Sequence, residues 1–166
     1  MTNAVIREAA VDDLGAIVSI YNDVLETSST IWREAPTTVE ERAQWLAAGN
    51  AARYPILVAE RDSVVIGFAG AGPFRPWPGY ATTCEHSIHV RRDSRGIGIG
   101  SLLLGGLEEA LRCRPTHVMV AGIDAENVGS IRFHGRAGFV EVARMPEVGL
   151  LRGTWRDLVL MQKQLT

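Results

Sequence analysis

The sequence predicts a single-domain α/β fold, with a mixed, mostly antiparallel twisted sheet flanked by helices, and three observations predict it. The chain has 166 residues, 46% hydrophobic and 22% charged, with a mean hydropathy of +0.06. A chain of that size buries roughly 70% of its unfolded surface around one core. Apolar residues alternate in some segments and recur every three to four positions in others, in the order βααβββαβαββ. One glycine-rich turn lies between a strand and a strongly amphipathic helix, where a parallel crossover belongs in an otherwise antiparallel arrangement.

Each element has its own signal. Residues 5–10 read as a short strand. Residues 14–25 place Leu14, Ile17, Val18, Tyr21, Val24 and Leu25 at helical spacing behind the cap candidates Asp12 and Asp13. After a polar stretch containing Trp32, Thr38-Val39-Glu40-Glu41 has the form of a capping box and opens a second helix to about residue 48, with Pro36 just ahead of it. Residues 56–60 and 64–68 are rich in β-branched side chains and are joined across Arg61-Asp62-Ser63, which predicts a hairpin. Residues 70–80 predict a loop, because their prolines cannot donate to a ladder. A strand over 82–90 leads into the glycine turn. Leu103, Leu107, Ala110 and Leu111 then form the apolar stripe of a helix over 101–112. A strand over 117–122, a helix over 127–137 and strands over 139–143 and 155–161 complete one domain spanning residues 1–166.

Seventeen basic residues against nineteen acidic ones leave a net charge of −2. Nucleic acids and anionic membrane surfaces select a strong positive excess, so neither is expected as a partner. Cys84 and Cys113 lie far apart and outside any CxxC pattern, so neither a disulfide framework nor a zinc site is expected, and no metal. The first eight residues lack a basic segment followed by an apolar one, and no apolar run approaches the roughly 20 residues that span a bilayer. The expected location is cytoplasmic.

Arg95-Gly96-Ile97-Gly98-Ile99-Gly100-Ser101 is the turn that can hold a ligand. Its glycines let the backbone approach closely, and several N–H groups at the following helix N-terminus suit a phosphate or pyrophosphate. A P-loop is excluded, since it needs GxxxxGK[ST] and Lys163 is the only lysine. A dinucleotide-binding turn normally has GxGxxG spacing within a parallel βαβ unit; here the spacing is GxGxG after a long antiparallel stretch. A turn chosen only for tight packing is the remaining alternative.

Arg95-x-x-Gly98-x-Gly100 after Ser87-Ile88-His89-Val90 resembles the acetyl-CoA signature of the GNAT superfamily of N-acetyltransferases. Asn127-x-x-Ser130-Ile131-x-Phe133-His134 followed by Gly138-Phe139 resembles the second motif of that superfamily. The segment Phe74-Arg75-Pro76-Trp77-Pro78-Gly79-Tyr80, Glu85-His86-Ser87-Ile88, His134 in place of the usual tyrosine, Val148-Gly149 and Trp155-x-Asp157-Leu158 look like the phosphinothricin and methionine-sulfoximine acetyltransferase branch. The resemblance covers about residues 6–165. It implies transfer of acetyl from acetyl-CoA to the α-amine of a small amino-acid analogue, commonly by a homodimer.

The same resemblance assigns roles. Backbone groups of Ile88, His89 and Val90 would pair with the pantetheine arm, and residues 95–101, with Arg91 and Arg92 nearby, would wrap the pyrophosphate. Asn127 would grip the pantetheine or cap its own helix, with Ser130 on the same helical face as His134. His134 stands where a general acid for the departing thiolate is expected; a histidine that only packs is the alternative. An α-amine is mostly protonated at pH 7, and Glu85 is the candidate base, against the alternative of an outward surface carboxylate. Phe74, Arg75, Pro76, Trp77 and Tyr80, with Glu85, His86 and Ser87, would bind substrate. In that set Arg75 would hold the α-carboxylate between aromatic rings, unless those rings are partly core. Trp32 would form the opposite wall. Leu150-Leu151-Arg152-Gly153-Thr154 departs from the branch, which usually has a lysine and an aromatic there, and bears on acceptor choice if it reaches the site.

Overall fold

In the computed structural model, which describes residues 3–165, the strands are β1 (Val5–Glu8), β2 (Ile56–Arg61), β3 (Val64–Pro73), β4 (Thr83–Val90), β5 (Val118–Asp124), β6 (Val140–Leu151) and β7 (Thr154–Gln164). The helices are α1 (Leu14–Thr27), α2 (Val39–Ala51), α3 (Ile99–Arg112) and α4 (Val128–Arg136). One seven-stranded sheet has the order β1-β2-β3-β4-β5-β7-β6. Every neighbouring pair is antiparallel except β4–β5, which is parallel and is joined through α3.

The β2–β3 turn forms because Asp62 and Ser63 both take positive φ (51° and 61°), the two-residue geometry that matches strand twist. Thr38 caps α2 by accepting from the Glu41 amide at 3.2 Å, as its sequence pattern predicts. Asp13 holds the N-cap position of α1 without a capping bond. Its carboxylate instead takes both ends of the Arg7 guanidinium at 2.8 Å, tying β1 to the start of the helix.

Both faces of the sheet are covered. Leu103, Leu107 and Leu111 of α3 press on Ile66, Met119 and Ala121, with Ile131 and Phe133 of α4 alongside. On the other face Ile17 and Ile20 of α1 meet Val58 and Phe68, and Leu46 of α2 meets Ile56. Leu107 is 0% exposed. Leu107→Ala is expected to cost about 2–5 kcal/mol, through lost burial and the cavity left behind, read as a lower denaturant midpoint at unchanged slope.

Three segments differ from the sequence reading. Residues 70–73 are strand, not loop, pairing Gly70 with Ser87, Ala71 with His86, Gly72 with Glu85 and Pro73 with Cys84. The glycines are accommodated because Trp45 fills the space over Gly70, where a Cβ would lie 2.7 Å from its ring, and the first proline falls at the strand end. β6 and β7 run on to form a hairpin of 12 and 11 residues. Pro146 breaks the alternation of β6, but it sits where the β6–β7 register shifts between Met145 and Gly149, and a bulge tolerates a missing donor. α3 begins at Ile99 instead of residue 101, so Ile99, Gly100 and Ser101 of the glycine turn are already helical.

Candidate active site

β4 and β5 pair only through Thr83–Glu85 against Val118–Val120, and then part. From His86 to Val90 the edge of β4 that faces β5 has no ladder partner, although its other edge is bonded to β3 throughout. The fork puts unpaired backbone groups at the centre of the sheet, where an extended ligand arm can add as a strand. Ile88 and Val90 pack into the α3 side, whereas the His89 ring is buried on the opposite side against Tyr21 and Phe68. Burial pushes His89 down to about 4, helped by the positive charge of Arg42 and Arg95, so it is a neutral packing residue.

The glycine turn lies beyond the open end of the fork. Gly96 and Gly98 have φ of 76° and 93°, and Gly98 is the N-cap of α3. The first backbone bond of the helix runs from the Leu102 amide to the Gly98 carbonyl, leaving the amides of Ile99, Gly100 and Ser101 without intrahelical acceptors. Three N–H groups beside two left-handed glycines make a cradle for a pyrophosphate. Of the nearby arginines, Arg91 is paired with Asp93 at 2.7 Å, which offsets its charge. Arg95 folds back so that its Nε donates to the Val90 carbonyl at 3.0 Å. Ser101 also borders a cavity of about 300 Å³ between α3 and α4, with Phe133, Arg136 and Lys163 on its walls. Asn127 caps α4, its side-chain oxygen accepting from the Ser130 amide at 3.0 Å, while its amide nitrogen donates to the Thr30 hydroxyl at 3.3 Å.

Strand alternation divides Glu85-His86-Ser87 between the two faces. Glu85 and Ser87 line an open trough of about 290 Å³ with Trp45, Gly70, Gly72 and Pro73 on the α2 side. Glu85 has Gly72 as its cross-strand partner, and on β5 its Oε1 lies so close to Gly122 that a Cβ there would sit 2.9 Å away. Glycine on both flanks leaves this carboxylate as the dominant functional group of the trough floor. It is accessible, yet the sheet crowds it from one side. That desolvation raises its pKa above the ordinary value, against an opposing pull from the Arg75 guanidinium. Arg75 lies 5.1 Å from the Phe74 ring centre, and Phe74 and Tyr80 meet edge-to-face at 5.8 Å. Trp77 is 69% exposed and has no part in that cluster.

The His86 side chain lies on the other face. His86 and His134 are both buried, 3.1 Å apart between their Nε2 atoms, with Phe139 against both rings. Burial pushes His86 down to about 4 and also lowers His134.

One cluster joins Trp32 to two residues, Asp124 and Arg156, that the sequence does not point to. Asp124, one side-chain position beyond Gly122 on the trough face, accepts from Trp32 Nε1 at 2.9 Å, Arg156 Nε at 2.8 Å and the Glu126 amide at 2.9 Å. Trp32 lies flat over Gly149, where a Cβ would be 2.4 Å from its ring. Trp32 is thus held between Asp124 and Gly149 of β6, and it is not among the residues that line the trough. The segment 150–154 itself runs on past the site. Arg152 donates to the Leu25 carbonyl at the end of α1 at 2.7 Å, and its amide meets Glu34 at 3.2 Å, so its cation serves a helix C-terminus. Asp124 and Arg156 are 32 residues apart, and no local spacing marks them as partners.

A split parallel strand pair, a glycine-rich helix N-terminus at its mouth and a carboxylate at its apex agree with the match of residues 17–139 to the model of the acetyltransferase (GNAT) family. The chain belongs to that family. This acetyltransferase is 44% identical to the L-methionine sulfoximine/L-methionine sulfone acetyltransferase of Pseudomonas paraeruginosa, over 98% of the chain and 95% of the relative. It is 35% identical to the phosphinothricin N-acetyltransferase of Alcaligenes faecalis, over 96% of the chain and 82% of the relative. Among solved structures, the acetyltransferase yncA of Salmonella typhimurium with its cofactor acetyl-CoA superposes with a TM-score of 0.95 at 40% identity, covering 99% of this chain and 95% of that one. A ribosomal-protein-alanine N-acetyltransferase from Brucella melitensis superposes equally well, TM-score 0.95 at 45% identity, covering 97% of this chain and 99% of that one.

Proposed function

We propose that this acetyltransferase moves the acetyl group of acetyl-CoA to the α-amine of a small amino-acid analogue, of the methionine sulfoximine, methionine sulfone or phosphinothricin type, by direct attack in a ternary complex. The observation that carries the reading is the fork. It opens a donor channel on the α3–α4 side, and its apex lies back to back with the Glu85 trough, so a thioester reaching the apex meets an amine held from the other face. The edge of Ile88, His89 and Val90, which has no strand partner, takes the pantetheine arm. The turn from Arg95 through Gly96, Ile97, Gly98, Ile99 and Gly100 to Ser101 takes the pyrophosphate, and Asn127 and Ser130 flank the arm from α4.

Glu85 accepts a proton from the substrate amine, directly or through water, because only the neutral amine attacks. Arg75 holds the α-carboxylate, and Phe74 and Tyr80 cover the substrate side chain; Pro76 and Trp77 belong to the same loop. Arg75→Ala is expected to raise KM for amino-acid acceptors about tenfold or more, as loss of a charge-assisted pair worth about 1.5–3 kcal/mol implies, and to erase discrimination between an amino acid and its amide. Equal wild-type rates on both would refute the role of Arg75.

Acetylation of a protein N-terminus is the second reading, favoured by the Brucella structure's name. A free-thiol release assay with acetyl-CoA, offering amino-acid analogues and short peptides, decides between them. Release with analogues and none with peptides is the expected result. The enzyme is read as cytoplasmic; among the described residues no helix is long and apolar enough to cross a membrane. A homodimer is proposed from the outer strand β6, which exposes Val140, Val142, Val148 and Leu150 beside Trp155 of β7, and sedimentation velocity tests it.

A further inference from the structure

Two imidazoles meet where β4 and β5 part, and their hydrogen bonds fix where their protons are. His86 Nδ1 lies 2.9 Å from the Val120 carbonyl, and His134 Nδ1 lies 2.8 Å from the Ser130 carbonyl. A carbonyl oxygen only accepts, so both Nδ1 atoms carry hydrogen. In neutral imidazole that leaves a bare lone pair on each Nε2, and the two Nε2 atoms face each other at 3.1 Å. Two lone pairs repel at that distance, whereas one proton between them makes an N–H···N bond of ordinary length. The Ser130 hydroxyl, 3.3 Å from His134 Nδ1, offers no way out. Were it the donor, the bare Nδ1 would face the Ser130 carbonyl at the shorter distance.

We propose that His86 and His134 hold one shared proton between their Nε2 atoms, and that this proton is delivered to the sulfur of the departing CoA thiolate. The delivery rests on the acetyl-transfer reading above; the shared proton does not. As the substrate amine forms the new C–N bond, the C–S bonding pair passes to sulfur. Sulfur takes the proton from between the rings, giving a free thiol and a neutral histidine pair. Glu85, having passed the ammonium proton on to solvent before the attack, takes the extra proton of the new amide nitrogen on the opposite face. Solvent then recharges the pair and discharges Glu85, so protons balance over one turnover.

The surroundings suit an acid that surrenders its proton readily. The pair is faced by the Val120 carbonyl from β5, by Ser130 and Phe133 from α4, by Phe139 ahead of β6, and on β4 by the buried Cys84 thiol. That thiol is neutral, because burial raises it to about 11. Among the described residues no carboxylate or guanidinium pairs with either ring. Burial therefore works against the charge, and the opposed lone pairs work for it. The two rings thus titrate as one unit with one proton.

The test is 15N NMR of the whole chain labelled in its histidine rings, assigned with His86→Phe and His134→Phe. At pH 7 both Nδ1 signals of the pair are expected to be protonated, and both Nε2 signals intermediate, changing together by one proton as pH rises. Either ring found with hydrogen on Nε2 and a bare Nδ1, or both Nε2 bare from pH 5 to 8, overturns the shared proton. In kinetics each single variant is expected to lose about 10²-fold in kcat, with KM for acetyl-CoA little changed and the alkaline limb of the kcat profile displaced. The double variant is expected to be no worse than the poorer single one, since one proton is at stake. Unchanged kcat in His86→Phe, or additive losses, overturns the delivery. Absence of thiol release by the wild type with any amine overturns the acetyl-transfer reading and the delivery together, while the NMR result still decides the shared proton.

Discussion

Glu85→Gln is expected to lower kcat by about 10²–10⁴-fold, the usual contribution of a positioned general base, while acetyl-CoA still binds with its wild-type affinity. The separation of effects comes from strand alternation. Glu85 lies on the trough face, whereas the fork edge and the glycine turn that would hold the donor involve backbone groups beyond it on β4 and α3. Glutamine keeps the shape, and Gly122 leaves room for it as for the native side chain. The pH dependence carries the sign. One-sided crowding raises the Glu85 pKa and Arg75 opposes that rise, so the acid limb of kcat/KM is expected above the value of a free glutamate. Arg75→Ala removes the opposing charge and is expected to move that limb to still higher pH; Glu85→Gln is expected to abolish it. A wild-type limb at the value of a free carboxylate, or an unchanged rate in Glu85→Gln, would remove Glu85 from the mechanism.

What the sequence makes legible are features whose physics is local. The order of strands and helices follows from periodicity, and the glycine turn is read correctly because positive φ at Gly96 and Gly98 is a property of those residues themselves. Glu85, Ser87 and His86 are found as a run, but their division between faces depends on how β4 is buried, and period-2 alternation only says that neighbours differ. Residues 70–73 mislead because a strand rich in glycine is stabilised from outside itself, by Trp45 resting where side chains are absent. Trp32 is picked out as a residue, but its assembly with Asp124 and Arg156 is invisible for a stronger reason. Its three members come from β5, from β7 and from the loop after α1, and only assembly of the sheet makes them neighbours.

Asp124→Ala is expected to be among the most destabilising single changes in the polar part of the structure. The Asp124 and Arg156 side chains are 1% and 9% exposed, and the Arg156 guanidinium lies 2.8 Å from the Asp124 carboxylate. Removing one partner of such a pair leaves the other charge buried, at a cost of about 3–5 kcal/mol. The exposed Glu126 carboxylate also reaches Arg156 at 2.8 Å and partly compensates, which places the expected loss near the lower end. For a domain of this size about 3 kcal/mol corresponds to a fall in Tm of about 6–12 °C. Asp124→Asn should lose less, because its amide oxygen can still accept from Trp32. Burial raises the Asp124 pKa, but the bonds from Trp32, the Glu126 amide and Arg156 outweigh it and hold the carboxyl below its ordinary value of 3.8. A carboxyl lowered in the folded state contributes stability that is complete above its unfolded value and is lost as pH falls through the folded one. Wild-type stability is therefore expected to decline below about pH 4, and Asp124→Ala to remove part of that decline. Trp32, freed from its acceptor, would no longer be held over Gly149, so KM for the amine is expected to rise more than KM for acetyl-CoA. A Tm within a degree of the wild type, or equal changes in the two KM values, would show that Asp124 does not hold Trp32 in place for the amine substrate.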